Sequence, residues 1–148
     1  MMKLVVQRVK SAKVVRVKDN KMVGEIGPGL FVLVGFKKGD TEESVSILSD
    51  KLVKLRVVSD SEDRMNLSVK DVRGSFLIVS QFTLYGDTGG GNRPSFINAE
   101  EPDKARRLYN LFVDSVKSTG IKTETGSFGD YMQIEADLDG PVTILYEL

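Results

Sequence analysis

The chain has 148 residues, of which 41% are hydrophobic and 28% are charged, as is usual for a globular protein. Its 21 lysines and arginines balance 21 aspartates and glutamates, and zero net charge argues against strong sequence-independent binding to nucleic acid. The chain has no cysteine and no histidine, which removes disulfides, thiolate nucleophiles and the usual ligands of transition metals. We therefore expect no metal and no cofactor.

No apolar stretch approaches the roughly 20 residues of a membrane span. The N-terminal residues enter a strand-like pattern at once, without the apolar core of a signal peptide. We found no repeat and no linker. The sequence therefore predicts a cytoplasmic protein with a single domain, residues 1–148, and no association with a membrane.

The first 36 residues predict four short strands, because runs of β-branched and apolar residues alternate with turn residues. The third strand leads into the breaker cluster Gly27-Pro28-Gly29, and the fourth is apolar enough to be buried on both faces. The four predicted strands are Leu4–Val9, Val14–Val17, Val23–Ile26 and Leu30–Phe36.

Two helices are predicted further along the chain. The first opens at Asp40, which has capping-box spacing to Glu43. The second begins near Pro102 and stops at Gly120, as suits a first helical residue and a C-terminal cap. The predicted buried faces are Val45, Leu48, Leu52 and Leu55 in the first helix, and Ala105, Leu108, Phe112 and Val116 in the second.

Three more strands are predicted, with polar loops at Ser59–Arg64 and Gly86–Asn92. One long strand covers Phe76–Tyr85, and two closing strands lie near Tyr131–Ala136 and Val142–Tyr146. Many strands with only two helices predict a sheet-dominated α/β fold. The strand-only N-terminal part adds a second sheet layer beneath the helix-covered sheet, which gives three layers, α/β/β.

Polar residues at the end of the strand Phe76–Tyr85 are the first candidate site. Alternation puts Gln81, Thr83 and Tyr85 on one face, so the strand either emerges into solvent or delivers side chains to a pocket. A serine or threonine nucleophile needs an adjacent base, and no histidine exists. Pairing with a lysine stays formally open, but Ser80 and Thr83 are better interpreted as hydrogen-bonding groups.

The glycine-dense loop and the Gly140-Pro141 pair each allow two interpretations. The loop lacks the lysine that ends a phosphate-binding loop, so it is a surface loop or a lid. Arg93, which follows it, pairs with a phosphate or carboxylate, or is simply solvated. Gly140-Pro141 is a plain turn or, if the peptide bond is cis, a rigid tip that could exclude substrates sterically.

Over essentially its full length the chain resembles the D-aminoacyl-tRNA deacylases, also called the D-Tyr-tRNA deacylase family. The most specific segments are Ser80–Leu84, with the sequence SQFTL, and Gly140–Thr143, with the sequence GPVT. Further segments match in the same order: Val6–Val9, Gly24–Leu30, Lys38–Thr41, Met65-Asn66, Arg93–Phe96 and Gly126–Gly129.

The resemblance implies an enzyme that hydrolyses the ester joining a D-amino acid, or glycine mischarged on tRNA-Ala, to the terminal ribose of tRNA. It implies a homodimer in which a cis Gly140-Pro141 enters the partner's pocket and excludes L-amino acids. Ser80 and Gln81 would orient the ester, main-chain N–H groups near Phe82 would stabilise the oxyanion, and Thr83 would hydrogen-bond nearby. The substrate's own 2′-hydroxyl takes the place of a protein nucleophile.

The resemblance also assigns Phe128, Met132 and Arg93 to substrate binding, with Met132 near the terminal adenine; a lone Met would otherwise be read as core. Compared with the family, the chain has several substitutions: Leu138 for a common Asn, Asp130 and Gly86 for common alanines, and Gly89–Asn92 where basic residues are common. Two other classes of function were weighed, a non-catalytic nucleic-acid-binding dimer and a general serine esterase. Zero net charge disfavours the first, and the absence of histidine disfavours the second.

Overall fold

The computed structural model describes all residues from 1 to 148. Neither helix is long and apolar enough to cross a membrane. The strands are β1 Lys3–Arg16, β2 Lys21–Ile26, β3 Gly29–Gly35, β4 Val58–Ser59, β5 Met65–Leu67, β6 Ser75–Ser80, β7 Lys122–Thr125 and β8 Met132–Glu147; the helices are α1 Glu42–Lys54 and α2 Pro102–Lys117. A 3₁₀ turn spans Phe82–Tyr85.

Strands β3, β6 and β7 run parallel at the centre of the fold, and β1 joins β3 antiparallel. The apolar sequence of β3 is buried on both faces, as predicted. Residues of one parity, such as Leu30 and Ile78, pack against the helices. Residues of the other parity, such as Phe31 and Leu77, pack against a second layer of strands. The predicted three-layer, sheet-dominated α/β fold is therefore confirmed.

Strand β1 belongs to both sheet layers. Its first half, Lys3–Val9, pairs with β3, and its second half, Ala12–Arg16, pairs with β2. Strand β8 accompanies both halves along the opposite edge. The prediction of two strands in this segment was wrong, because the polar residues Lys10 and Ser11 mark a change of partner and not the end of a strand.

The helix positions agree with the sequence except at the ends. Helix α1 begins at Glu42, and its cap is Thr41, whose hydroxyl accepts the N–H of Ser44 at 3.4 Å. The predicted capping box was wrong, because the Asp40 carboxylate is buried and accepts the N–H of Lys37 at 2.7 Å instead. The predicted apolar faces are confirmed, apart from Leu55 and Ala105, which are half-buried; Leu55 caps the C-terminus of α1.

The long strand predicted at Phe76–Tyr85 ends at Ser80, and the 3₁₀ turn follows. The predicted polar stripe of Gln81, Thr83 and Tyr85 is therefore wrong. Tyr85 is buried, its hydroxyl has no hydrogen-bond partner, and burial raises the pKa of the phenol.

The structure differs from the prediction in three further places. The two predicted closing strands are one strand, β8, interrupted by a bulge around Gly140-Pro141. The polar sequence of β7 and the short pair β4–β5, which flanks the predicted loop, carried no apolar signal and were missed.

The contact between β3 and β6 leaves no space at Gly29. A Cβ atom there would lie 1.9 Å from the main-chain oxygen of Ser75, whereas a Cβ at Gly27 would have nothing within 4 Å. We expect Gly29→Ala to lower the free energy of unfolding by about 3 kcal/mol or to prevent folding. Gly27→Ala should stay within about 0.5 kcal/mol of the original chain. Urea denaturation followed by circular dichroism measures both, and equal midpoints for the two variants would contradict this account.

Candidate functional site

A pocket of about 290 Å³ opens where β3 and β6 end. Ligands commonly bind outside the carboxyl ends of parallel strands, because loops and helix starts converge there. The lining residues come from the two strand ends, from the start of α2 and from the segment before β8. They are Gly35, Phe36, Ser80, Gln81, Phe82, Glu100, Pro102, Ala105, Phe128, Gly129, Asp130 and Met132.

The segment Ser80–Phe82 forms one wall and changes direction at Gln81. The N–H of Gln81 donates to the oxygen of Val34 at 2.8 Å, which continues the ladder between β3 and β6 by one residue. The N–H groups of Phe82 and Thr83 open the 3₁₀ turn, so no preceding turn offers them an acceptor. No side chain caps this turn. The wall therefore combines a hydroxyl, an amide and main-chain N–H groups without a protein acceptor.

The opposite wall is held by aromatic packing. Phe128 lies 5.8 Å from the ring of Tyr109, whose hydroxyl donates to the oxygen of Ile78 at 2.6 Å. The sulfur of Met132 accepts the N–H of Ser127 at 3.3 Å. A Cβ at Gly126 would lie 2.9 Å from that sulfur, so a side chain there would displace Met132. These contacts fix the apolar wall relative to β6.

Two carboxylates line the pocket, and each has a cation beside it. Burial alone would raise the pKa of Glu100, but Lys104 at 2.9 Å and the N–H groups of Glu101 and Gly39 lower it overall. The Ser127 hydroxyl and then Lys18 lower the pKa of Asp130. Both groups are therefore ionised at neutral pH, and neither has the pKa near 7 that a general base needs. No cluster of three metal-ligating side chains occurs in residues 1–148.

The Gly140-Pro141 pair lies in a bulge of β8. Gln7 pairs with Thr143 and Val9 with Leu138, so four residues, Asp139–Val142, stand opposite Arg8 alone. We call this segment the tip. Its Gly140-Pro141 bond is cis, and Gly140 has a φ of +128°.

Arg8 holds the base of the tip. Its Nε donates to the oxygen of Asp139 at 3.2 Å, and its Nη1 donates to the oxygen of Val57 at 2.8 Å. The same Nε lies 3.4 Å from the Asp139 carboxylate. The Arg8 side chain is 15% exposed, so these contacts form largely away from water.

Five of the nine predicted site residues line the one pocket: Ser80, Gln81, Phe82, Phe128 and Met132. Thr83 is exposed one residue beyond the lining, and Arg93 lies on an exposed loop. The remaining two, Gly140 and Pro141, are exposed in the tip and do not line the pocket of their own chain.

Among the substituted positions, Leu138 pairs with Val9 just before the tip and is partly exposed. Glu100 lines the pocket but was not predicted from the sequence. Its only signal was a charged position shortly before the predicted helix start.

The residues from 5 to 147 match the model of the family described as D-Tyr-tRNA(Tyr) deacylase. A D-aminoacyl-tRNA deacylase of Thermotoga petrophila is 51% identical over 146 residues, which is 99% of this chain and 97% of that protein. A Bacillus subtilis protein described as an inactive D-aminoacyl-tRNA deacylase is 50% identical over 129 residues, 87% of this chain and 98% of its own length.

Two solved structures are similar over nearly the whole chain. The c-Myc DNA unwinding element binding protein superposes with a TM-score of 0.91 at 36% identity, and the match covers 99% of this chain and 98% of that one. A probable eukaryotic D-amino acid tRNA deacylase gives a TM-score of 0.86 and covers 99% of each chain. Its identity of 18% makes it a similarity of fold alone.

The contacts of Arg8 generate a stability prediction. Arg8→Met removes the donors to Val57 and Asp139, and we expect the free energy of unfolding to fall by about 1–3 kcal/mol. Lys10→Met on the same strand is the control, because Lys10 is exposed and has no ion-pair partner. It should change stability by about 0.5 kcal/mol at most. Urea titrations of the two variants provide the measurement, and an Arg8 variant as stable as the control would contradict the bracing role.

Proposed function

The chain belongs to the D-Tyr-tRNA(Tyr) deacylase family, and from this premise we propose that it hydrolyses the ester bond of D-aminoacyl-tRNA. The products are a free D-amino acid and tRNA. The observation that carries the proposal is the meeting of Ser80, Gln81 and Phe82 with Phe128 and Met132 in one pocket. We place the terminal adenosine against the apolar wall of Phe128 and Met132, and the ester beside Ser80–Phe82.

The reaction adds water across the ester: a hydroxyl joins the acyl carbon, and the ribose oxygen leaves with a proton. The two carboxylates of the pocket keep low pKa values, so neither takes up a proton near neutral pH. In our proposal the substrate's 2′-hydroxyl, next to the ester, assists the proton transfer. The free N–H groups of Phe82 and Thr83 stabilise the oxyanion, and a donor in this role contributes about 3–4 kcal/mol. Ser80 and Gln81 orient the ester.

Chiral selection would come from the tip of a second subunit in a homodimer. Met132 pairs with Arg16 and the tip stands opposite Arg8, so about eight strand residues, or roughly 25 Å, separate the pocket wall from the tip of the same chain. The tip is exposed and braced by Arg8, which suits insertion into another subunit. There it would exclude L-amino acids sterically and accept glycine, including glycyl-tRNA-Ala.

The proposed role is therefore chiral proofreading of aminoacyl-tRNA, a step of translation quality control in the cytoplasm. Residues 1–148 would act as one domain, the tRNA being bound through its 3′-terminal adenosine and the D-amino acid. Arg93, on its exposed loop, would contact the tRNA outside the pocket.

A second candidate function is nucleic-acid binding without turnover. It is favoured by the solved relative described as a DNA unwinding element binding protein and by the Bacillus subtilis relative described as inactive. The presence of both Ser80–Leu84 and Gly140–Thr143 in this chain supports turnover instead. Cleavage of an aryl ester that lacks ribose would be the observation in support of a general esterase activity.

The first test compares two substrates that differ only in chirality. Adding the protein to D-Tyr-tRNA should release tyrosine rapidly, whereas L-Tyr-tRNA should decay at the rate seen without protein. Acid-precipitable radioactivity over time measures both. Equal, uncatalysed decay of the two substrates would refute the deacylase function, and salt-sensitive tRNA binding without release would favour the second candidate.

The second test concerns Thr83, whose side chain forms no hydrogen bond within the chain and which lies outside the pocket lining. Thr83→Ala should keep measurable activity, with kcat/KM reduced by about tenfold at most, as expected for one lost hydrogen bond. Thr88→Ala, on the exposed glycine-dense loop, is the matched control and should leave the rate unchanged. A fall of the Thr83 variant to the uncatalysed rate would identify Thr83 as the nucleophile.

A further inference from the structure

Arg106 lies at the rim of the pocket, against the ring of Phe128. It lies on α2, directly after the lining residue Ala105, and its side chain is exposed to solvent. The guanidinium carbon stands 4.6 Å from the ring centroid of Phe128, which is itself a lining residue. A positive charge is therefore held at the edge of the apolar wall.

Three cations contact side chains that line the pocket, and Arg106 is the one without a carboxylate partner. Lys104 lies 2.9 Å from the Glu100 carboxylate, and Lys18 lies 3.1 Å from the Asp130 carboxylate. Arg106 forms no ion pair and no hydrogen bond within the chain, whereas its neighbour Arg107 pairs with Glu42 at 2.7 Å. Among the cations that contact the pocket lining, Arg106 is therefore the one whose charge no carboxylate of the chain balances.

The contact with Phe128 also restricts the guanidinium. A cation over an aromatic ring gains roughly 0.5–1 kcal/mol at an exposed site. Phe128 packs on Tyr109, which is buried and bonded to β6, so the surface beneath the guanidinium is fixed. A guanidinium stacked on a ring still has its N–H groups free at the edge, where they can bind the two oxygens of a phosphate.

We propose that Arg106 binds a phosphodiester group of the single-stranded 3′ end of the tRNA while the terminal nucleotide occupies the pocket. This inference rests on the proposed deacylase function and adds a contact to it. The chain has zero net charge, so a polyanionic substrate gains little from the protein as a whole. One unpaired cation at the rim then supplies a localised attraction where the strand enters.

The test measures the salt dependence of binding, with uncharged tRNA as the probe so that hydrolysis is not required. Arg106→Gln should weaken binding about two- to fivefold at low salt, the range expected for one exposed ionic contact. The slope of log affinity against log salt concentration should become shallower by about 0.7, the value for one phosphate contact on a single strand. Arg106→Lys keeps the charge and should keep the slope.

Lys117→Gln is the matched control, because it removes the same charge from the same helix. Lys117 is exposed, has no ion pair, and lies about 16 Å from Arg106 along the helix axis. Its salt slope should equal that of the original chain. In steady-state deacylation of D-Tyr-tRNA, Arg106→Gln should raise KM and leave kcat unchanged.

Several outcomes would overturn the inference. If Arg106 only packs on Phe128, the Gln and Lys variants will weaken binding alike and the salt slope will not change. Equal effects of Arg106→Gln and Lys117→Gln would mean that only the net charge of the chain matters and would contradict a specific contact of Arg106. Binding of tRNA that does not depend on salt concentration would also exclude the contact. Failure of the proposed function has a separate readout, because D-Tyr-tRNA would then stay intact with the original chain whatever the binding data show.

Discussion

The structure depends on the pairing of β1 with other strands along both of its edges. Strand β8 pairs with it from Lys3 to Arg16, while β3 and β2 share the opposite edge. Buried main-chain groups left without partners cost free energy, so this ladder cannot be divided without penalty. It joins the helix-covered sheet to the second layer, and it carries Met132 of the pocket wall at one end and the tip near its middle, opposite Arg8. The distance between the pocket wall and the tip is therefore set by the number of strand residues between them.

Under the proposed function, the pocket positions its substrate and its carboxylates take no part in acid–base chemistry. Its two carboxylates are held ionised by neighbouring cations and N–H groups, and the chain has no histidine or cysteine. What remains at the wall are a hydroxyl, an amide and main-chain N–H groups at the end of β6. Such groups stabilise developing charge without changing protonation state. A substrate that brings its own hydroxyl next to the scissile ester matches a site of this kind.

The sequence predicted those strands and helices in which a local pattern of apolar residues corresponds to a single buried surface. The apolar runs of β3 and β6 and the apolar faces of both helices were predicted from the spacing of apolar residues alone. The sequence did not predict that β1 is one continuous strand, because the polar residues Lys10 and Ser11 are equally typical of a strand end and of a change of partner. The 3₁₀ turn was hidden because Gln81, Thr83 and Tyr85 continue the alternation of the strand before them. Glu100 and Arg106 became visible only when helix α2 was placed beside Phe128, since that contact joins residues distant in the chain.

The zero net charge of the chain limits how a polyanionic substrate can bind. A protein of zero net charge binds a polyanion weakly over most of its surface, because counterion release scales with the number of phosphates neutralised. Affinity must then come from contacts close to the reacting end. In this chain the carboxylates of the pocket are already paired with Lys104 and Lys18, so they neither attract cations nor repel phosphate strongly. The one unpaired cation at the rim, Arg106, stands on the wall that would receive the terminal nucleoside. Under the proposed function, weak binding elsewhere would leave most of the selection to contacts with the 3′ end.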